Sequence, residues 1–190
     1  MSVYEGDANS IIRLKDTGPM TSIRSIEDLL ARLLALESRF GDHDARCFLP
    51  RHKLAHAYRA IGEFEQAIKL FLKNLDAKSQ VLGEIHFETI NSQSSLANCY
   101  YALGQYYMAI QLFSKTLNNR TKALGSFHPD TLRSIGSLAN SYRANGQLAE
   151  AKQLHTRVLN LRQLILGANH PSTVVSLKHV ENLLEYMEDS

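Results

Sequence analysis

The sequence is poor in several residue types whose abundance would mark a specialised class of protein. It has two cysteines and no tryptophan, and no apolar run approaches the roughly 20 residues that a membrane helix needs. Two cysteines exclude a disulfide-built scaffold and suit a reducing compartment. The N-terminal residues MSVYEGDANSIIRLKD contain acids and no apolar segment, so they do not form a signal peptide. We therefore expect a cytoplasmic protein with no membrane partner.

The chain also has little excess of charge of either sign. The 21 lysines and arginines stand against 19 aspartates and glutamates, which leaves a net charge of +2. This excess is too small for a general nucleic-acid binder unless the positive charge is collected on one face. Apolar residues make up 44% and charged residues 21% of the 190 positions, a balance typical of one globular domain rather than a disordered chain.

What the chain contains in abundance is a repeat of 42 residues. Alignment of residues 48–89, 90–131 and 132–173 gives twelve columns that are identical in all three copies, where a column is a set of equivalent positions 42 residues apart. In the first copy these columns are Leu54, Ala55, Tyr58, Ala60, Gly62, Ala67, Leu70, Leu75, Leu82, Gly83, His86 and Thr89. The chain is therefore predicted to be a repeat protein.

Each repeat is predicted to form two helices. In the middle copy, apolar residues recur at helical spacing before Gly104 and again between Tyr106 and Gly125, and each glycine suits the left-handed position after a helix. The small residues Ala97 and Ala109 let the two helices approach closely. Neither helix can bury its apolar stripe alone, so successive pairs must stack into a solenoid.

The linker between repeats contains one histidine per copy, which raises the question of catalysis. A residue repeated once per unit at a helix start is more simply a linker or capping element, as are its neighbours Pro129 and Pro171 in the first helical turn. Pro50 lies inside the aligned first helix of the first full repeat, and we expect it to mark the start of that helix.

These residues carry a family resemblance. The pattern L-A-x-x-Y-x-A-x-G-x-x-x-x-A-x-x-L, with an LG-x-x-HP-x-T linker every 42 residues, resembles tetratricopeptide repeats, and in particular the long repeats of kinesin light chains. The resemblance covers roughly residues 25–188 and implies an all-α fold, a right-handed α-solenoid of antiparallel helix pairs. It also implies a protein-binding scaffold that is not an enzyme and needs no cofactor.

The repeat period divides the chain. Residues 1–20 have no period and are expected to be flexible, and residues 21–190 form a single array. The expected units are a partial repeat at 22–44, full repeats at about 45–86, 87–128 and 129–170, and a capping helix at 171–188. Residues 22–40 align with the second helix of a repeat whose first helix is missing.

The resemblance also implies which residues line a groove, because the first helix of each tetratricopeptide pair faces the concave side. The predicted groove residues are Lys53, His56, Arg59, Ser95, Asn98, Tyr101, Arg133, Asn140, Arg143, Lys178 and Asn182. They include five lysines or arginines and no acid. A solvated face would explain the charges equally simply. The functional interpretation is that the groove residues bind an extended acidic peptide. Arginines would form ion pairs with its carboxylates, and asparagines would bond to its backbone amides.

The cargo specificity of the family does not transfer directly to this chain. The paired asparagines that precede Leu-Ala in kinesin light chains are replaced here by Ser94-Ser95 and by Gly136-Ser137. The carboxylate clamp of chaperone-binding relatives is not matched either.

Two other functions remain open at this stage. The apolar positions Leu29, Leu30, Leu33, Leu34 and Leu36 are broader than one helix face requires, so the N-terminal edge could mediate dimerisation or docking on a larger partner. A weaker alternative is a small-molecule or enzymatic pocket around three residues of the groove, His52, His56 and Tyr101.

The histidine pair invites comparison with a metal site. His52 and His56 are spaced i,i+4 on one helical face, but Lys53 stands where a metalloprotease motif needs glutamate. We therefore predict no metal and no catalytic residue there. Cys47 and Cys99 fall about 10 residues out of register on equivalent helices, about 15 Å apart, which is too far for a disulfide.

Overall fold

The structure, a computed structural model, describes the backbone of residues 20–188 and the side chains of residues 25–188. The segment expected to be flexible, residues 1–20, lies outside the described residues except for the backbone of Met20. The described part is all-helical, and its eight α-helices are α1 (Met20–Phe40), α2 (Phe48–Ala60), α3 (Phe64–Leu82), α4 (Phe87–Ala102), α5 (Tyr106–Leu124), α6 (Pro129–Ala144), α7 (Leu148–Leu166) and α8 (Pro171–Glu188). Successive helices pack as antiparallel pairs into a tetratricopeptide-like superhelix.

Repeated histidines begin three of the helices. The Nδ1 atoms of His86, His128 and His170 accept hydrogen bonds from the backbone N–H groups two residues later, at 3.3, 3.1 and 3.1 Å. Each bond satisfies an N–H that has no partner within the helix. Because the ring accepts at Nδ1, the proton of a neutral histidine here lies on Nε2. The prediction that these histidines are capping elements is confirmed.

Glycines in the left-handed region follow the helices, as the repeat predicts. Gly62 has φ of 84° after α2, and Gly83 has φ of 89° after α3. A residue with a Cβ is strained at this φ, so glycine is the residue that ends each helix with least cost. The same conformation recurs one period later at Gly104 and Gly125.

The start of α2 differs from the prediction. The helix begins at Phe48, two residues before Pro50, and a single 3-10 turn at Ala45–Cys47 precedes it. Pro50 lies in the first helical turn, where an N–H has no intrahelical acceptor, so its missing N–H costs no hydrogen bond. The prediction that Pro50 marks the helix start was therefore wrong by two residues.

The core runs along the array instead of forming one central cluster. One apolar cluster includes the buried residues Leu54, Phe71 and Leu96, and the next is built around Phe113 and Leu138. The substantial contacts between helices are those between successive helices. Each pair is therefore held by its neighbours, as expected for a solenoid.

Cations that are buried or half-buried join successive repeats, a feature that the apolar pattern does not reveal. One column of the second helices contains Lys78, Arg120 and Arg162, and each donates to a serine fourteen residues later, at 3.2, 2.7 and 2.7 Å. The acceptors are Ser92, Ser134 and Ser176, on α4, α6 and α8. We call Lys78, Arg120 and Arg162 the inter-repeat cations.

Candidate functional site

The predicted groove residues lie on the first helices α2, α4, α6 and α8. All eleven are at least partly exposed. One hydrogen bond joins two of them across neighbouring first helices, since His56 Nε2 and Ser95 Oγ are 3.5 Å apart. This distance is long for a hydrogen bond, so the contact is weak.

Four of the five predicted groove cations have no acidic partner among the described residues. These four are Lys53, Arg59, Arg143 and Lys178. Arg133 differs, because its Nη1 lies 2.6 Å from Oδ1 of Asp130 on the same helix. The carboxylate neutralises Arg133 locally, so the unmatched positive charge rests on the other four residues.

The positive charge does not extend along the full array. The column of Arg59, Tyr101 and Arg143 continues on α8 at Glu185, because 143 + 42 = 185, and Glu185 is exposed. The charge on the first helices is therefore most clearly positive on α2 and α6, with polar uncharged residues between them on α4.

Amide side chains stand beside the cations, and they differ in their bonding. Asn98 Nδ2 donates to the carbonyl oxygen of Ser94 at 2.9 Å, which leaves Oδ1 as its free acceptor. Asn140 makes no side-chain hydrogen bond to another described residue. Its amide can therefore both donate to and accept from a bound chain.

A histidine cluster lies at the start of the predicted groove. The ring centroids of His52 and His56 are 4.4 Å apart, and both rings pack edgewise against Phe71 of α3, at 5.6 and 5.2 Å. Burial, together with the nearby charges of His56 and Lys78, lowers the pKa of His52 to about 4. Burial also lowers the pKa of His56. Both rings are therefore neutral at pH 7.

The histidine cluster has neither a third metal-ligating side chain nor a contact with Tyr101 among the described residues. No group of three or more histidine, cysteine or acidic side chains that could hold a metal occurs among the described residues. Tyr101, the third member of the alternative pocket, packs its ring against Tyr106 at 5.4 Å. No hydrogen bond or ring contact joins Tyr101 to either histidine in the described part of the chain.

A second histidine pair, which the sequence analysis did not select, joins α7 to α8. His155 is 3% exposed, and its ring centroid lies 5.3 Å from that of His179. Burial, with the charges of His179 and Arg143 nearby, lowers the pKa of His155 to about 4. The signal was available in the sequence, because Phe71 and Phe113 occupy the same column.

Replacement of His155 by phenylalanine is expected to make the protein less sensitive to acid. A neutral histidine with a lowered pKa binds fewer protons folded than unfolded, so its cost grows as the pH falls from about 6.5 to about 4. At one pKa unit per 1.36 kcal/mol, this cost reaches about 2–3 kcal/mol. Urea denaturation of both proteins at pH 7.5 and pH 4.5 checks it. Parallel losses of stability in the two proteins would contradict the prediction.

Both cysteines are buried, and neither forms a disulfide. Cys99 is fully buried in the first apolar cluster and is therefore a core residue. Burial raises the pKa of both thiols. Such thiols are poor nucleophiles at neutral pH, and neither supports a catalytic role.

A cleft of about 300 Å³ lies between α3, α4 and α5. Three of its polar residues bind one another: Lys115 Nζ lies 3.0 Å from Oε1 of Glu84, and Asn119 donates to the Glu84 carbonyl oxygen at 3.3 Å. We therefore assign the cleft to helix packing.

None of the helices between residues 20 and 188 has the length and apolar content to cross a membrane.

Solved structures with the same architecture carry kinesin light chain-like repeats. Two crystal structures of a presumed kinesin light chain from P. anserina with nearly identical TPR-like repeats, one of them a point variant, have a TM-score of 0.81 and 27% identity. They align over 88% of this chain and over 79% and 80% of their own. BtubC (BKLC) from P. vanneervenii has a TM-score of 0.71 at 18% identity, over 88% of this chain and 70% of its own, and shows the fold alone.

None of the curated proteins matches the chain. The family comparison is decisive instead, because the Tetratricopeptide repeat family matches residues 47–106 and 88–163. These segments overlap and together extend over more than half of the 190 residues. The chain therefore belongs to the tetratricopeptide repeat family.

Proposed function

We propose that this protein is a non-enzymatic scaffold that binds an extended, acidic segment of a partner protein along its first helices. Tetratricopeptide repeats are in general protein-interaction modules, which supports a protein partner rather than nucleic acid or membrane. The two free thiols fit a reducing compartment, so the proposal includes a cytoplasmic location.

The observation that carries the proposal is the unmatched charge on the first helices. Lys53, Arg59 and Arg143 make no ion pair with any described residue, although the chain as a whole is nearly neutral. A carboxylate-rich peptide would complement them, and an arginine can bind a carboxylate through two parallel hydrogen bonds. Complementary charge would also speed the encounter and make binding sensitive to salt.

The amides between the cations suit the backbone of such a peptide. The Asn98 carbonyl oxygen and the whole Asn140 amide are available for a bound chain. They lie in one column, so they recur at the spacing of successive first helices. An extended peptide exposes its own N–H and C=O groups and could bond to both residues.

The test measures binding of fluorescent acidic peptides that contain an aromatic residue, by fluorescence polarisation at low and high salt. The variant Lys53→Glu/Arg143→Glu should weaken binding about tenfold or more and flatten its salt dependence. The matched control is Lys69→Glu/Lys152→Glu, which makes the same change of charge at exposed positions on the second helices α3 and α7.

Equal loss of binding in the two variants would show that net charge, rather than the first helices, controls binding. Unchanged binding by Lys53→Glu/Arg143→Glu would overturn the groove assignment. An absence of saturable binding at either salt concentration would overturn the proposal for acidic peptides.

A further inference from the structure

We propose that copies of this chain associate head to tail, with helix α8 of one copy packed against helix α1 of the next to form a repeat from two chains. This inference goes beyond peptide binding and rests on different residues for its test. It names both sides of the interface, whereas the sequence predicted only that the N-terminal edge could take part.

Helix α8 exposes a face that is buried in every other first helix that it aligns with. Ile90 and Leu132 are 2% and 4% exposed, but Val174 in the same column is 39% exposed. Likewise Ile135 is 1% exposed, and Leu177 in its column is 41% exposed. These positions pack against the second helix of their own repeat, and no second helix follows α8 within the described residues.

Helix α1 shows the reciprocal pattern. Ala67, and its counterparts one and two repeats later, are fully buried, whereas Ser25 in the same column is exposed. Asn74 is also fully buried, and its counterpart Arg32 is exposed. Helix α1 thus has the register of a second helix, with no first helix before it within the described residues.

Contacts inside the chain predict how the two faces would meet. His52 and His56 of α2 pack against Phe71 of α3. Lys178 and Asn182 occupy the positions three periods after His52 and His56. Leu29 occupies the position one period before Phe71. Leu29 of the next copy would therefore lie beside Lys178 and Asn182.

Charge complementarity favours a second copy as the occupant. Asp28 adjoins Leu29 and is exposed, and in the predicted register it comes close to Lys178 of the preceding copy. Neither Asp28 nor Lys178 makes an ion pair with a described residue of its own chain. One interface would satisfy both charges and cover Leu177.

The interface is expected to be weak and reversible. Glu181 occupies the column of Ala97 and Ala139, where small side chains allow two helices to approach closely. Its bulk holds the helices of the joint further apart than those within a chain. Because the two faces differ, the contact is heterologous, and a joint that continues the superhelical stacking of the repeats extends into an open array instead of a closed ring.

Sedimentation velocity of the whole chain over a wide concentration range tests the inference. The average mass should rise with concentration beyond that of a dimer, and Glu181→Ala should tighten association about tenfold. A monomer mass at every concentration for the unaltered chain overturns the inference.

Charge reversal identifies the two faces. Lys178→Asp alone and Asp28→Lys alone should each weaken association about tenfold, because like charges then meet at every joint. An equimolar mixture of the two variants, and the double variant, should each restore it, because opposite charges face one another again. If Asp28→Lys assembles like the unaltered chain, α1 is not part of the interface and the inference is wrong.

Discussion

Replacing Arg51 by methionine is expected to lower the free energy of unfolding by about 3–5 kcal/mol. The Arg51 side chain is fully buried and its Nη2 lies 2.6 Å from Oε1 of Glu37, which is itself only 10% exposed. Arg51 also donates to the Asp42 carbonyl oxygen and to Asn74. Methionine fills the space but leaves Glu37 a buried carboxylate, with Lys73 as its remaining cation.

Urea denaturation followed by far-UV circular dichroism measures this effect. The double variant Glu37→Gln/Arg51→Met should recover part of the loss, because it leaves no uncompensated charge. Arg46→Met is the matched control: Arg46 pairs with Asp44 at 2.8 Å but is 58% exposed, so its replacement should lower the free energy of unfolding far less. A loss for Arg51→Met no larger than that of Arg46→Met would show that the buried pair contributes little.

Replacing Arg120 by alanine is expected to lower the free energy of unfolding by about 2–4 kcal/mol, although no carboxylate of the described residues binds this arginine. Its guanidinium donates to Ser134 Oγ at 2.7 Å, to Asn91 Oδ1 at 2.9 Å and to the Asp130 carbonyl oxygen at 3.1 Å. Removing the guanidinium leaves Ser134 Oγ and Asn91 Oδ1 without this donor at the joint between two repeats, whereas the Asp130 carbonyl oxygen keeps the bond from Ser134 Oγ at 3.0 Å. Burial lowers the pKa of Arg120, since the folded chain holds the cation away from water.

The chain itself suggests the comparison variant. Lys78 occupies the same column and binds its serine with a single ammonium group, so Arg120→Lys should retain the serine bond and cost less than Arg120→Ala. Arg133→Ala, which removes a 70% exposed arginine paired with Asp130, is the control and should cost under about 1 kcal/mol. Equal costs for the lysine and alanine variants would contradict the role of the hydrogen bonds at this joint.

The local features of the fold could be predicted from the sequence because they depend on residue types at fixed spacing. A glycine that recurs every 42 residues marks a position after a helix that only glycine adopts easily, and a histidine before α4, α6 and α8 supplies a capping acceptor. The helix start predicted from Pro50 was wrong by two residues because a residue type gives only local information. Proline is compatible with any position of a first helical turn, so its presence bounds a helix start without fixing it.

The buried polar contacts could not be predicted in this way. An apolar periodicity identifies which face of a helix is inside, and it treats Lys78, Arg120 and Arg162 as surface residues. Lys78 and Arg120 are buried and Arg162 is half-buried, and each donates to a serine fourteen residues later on a different helix, which only the packing brings close. His155 could not be predicted from the columns that are identical in all copies, because it departs from the phenylalanine of Phe71 and Phe113.

The candidate site likewise has some features that the sequence predicts and others that only the structure shows. The cations on the first helices follow from the register of the repeat, and the structure adds which of them lack an acidic partner. The pair between Asp130 and Arg133 could have been predicted, since residues three apart on a helix are neighbours. Their binding to a peptide stays a prediction.

The inter-repeat cations make the joints between repeats interchangeable. Each cation meets a serine at the same place on the following helix, so excision of residues 90–131 would present Ser134 to Lys78 in place of Ser92. The shortened chain would keep a donor and an acceptor at the two joints that Lys78 and Arg162 form. Such an array can lose or gain length in whole periods, and its reach toward a partner can change without any redesign of the joints themselves.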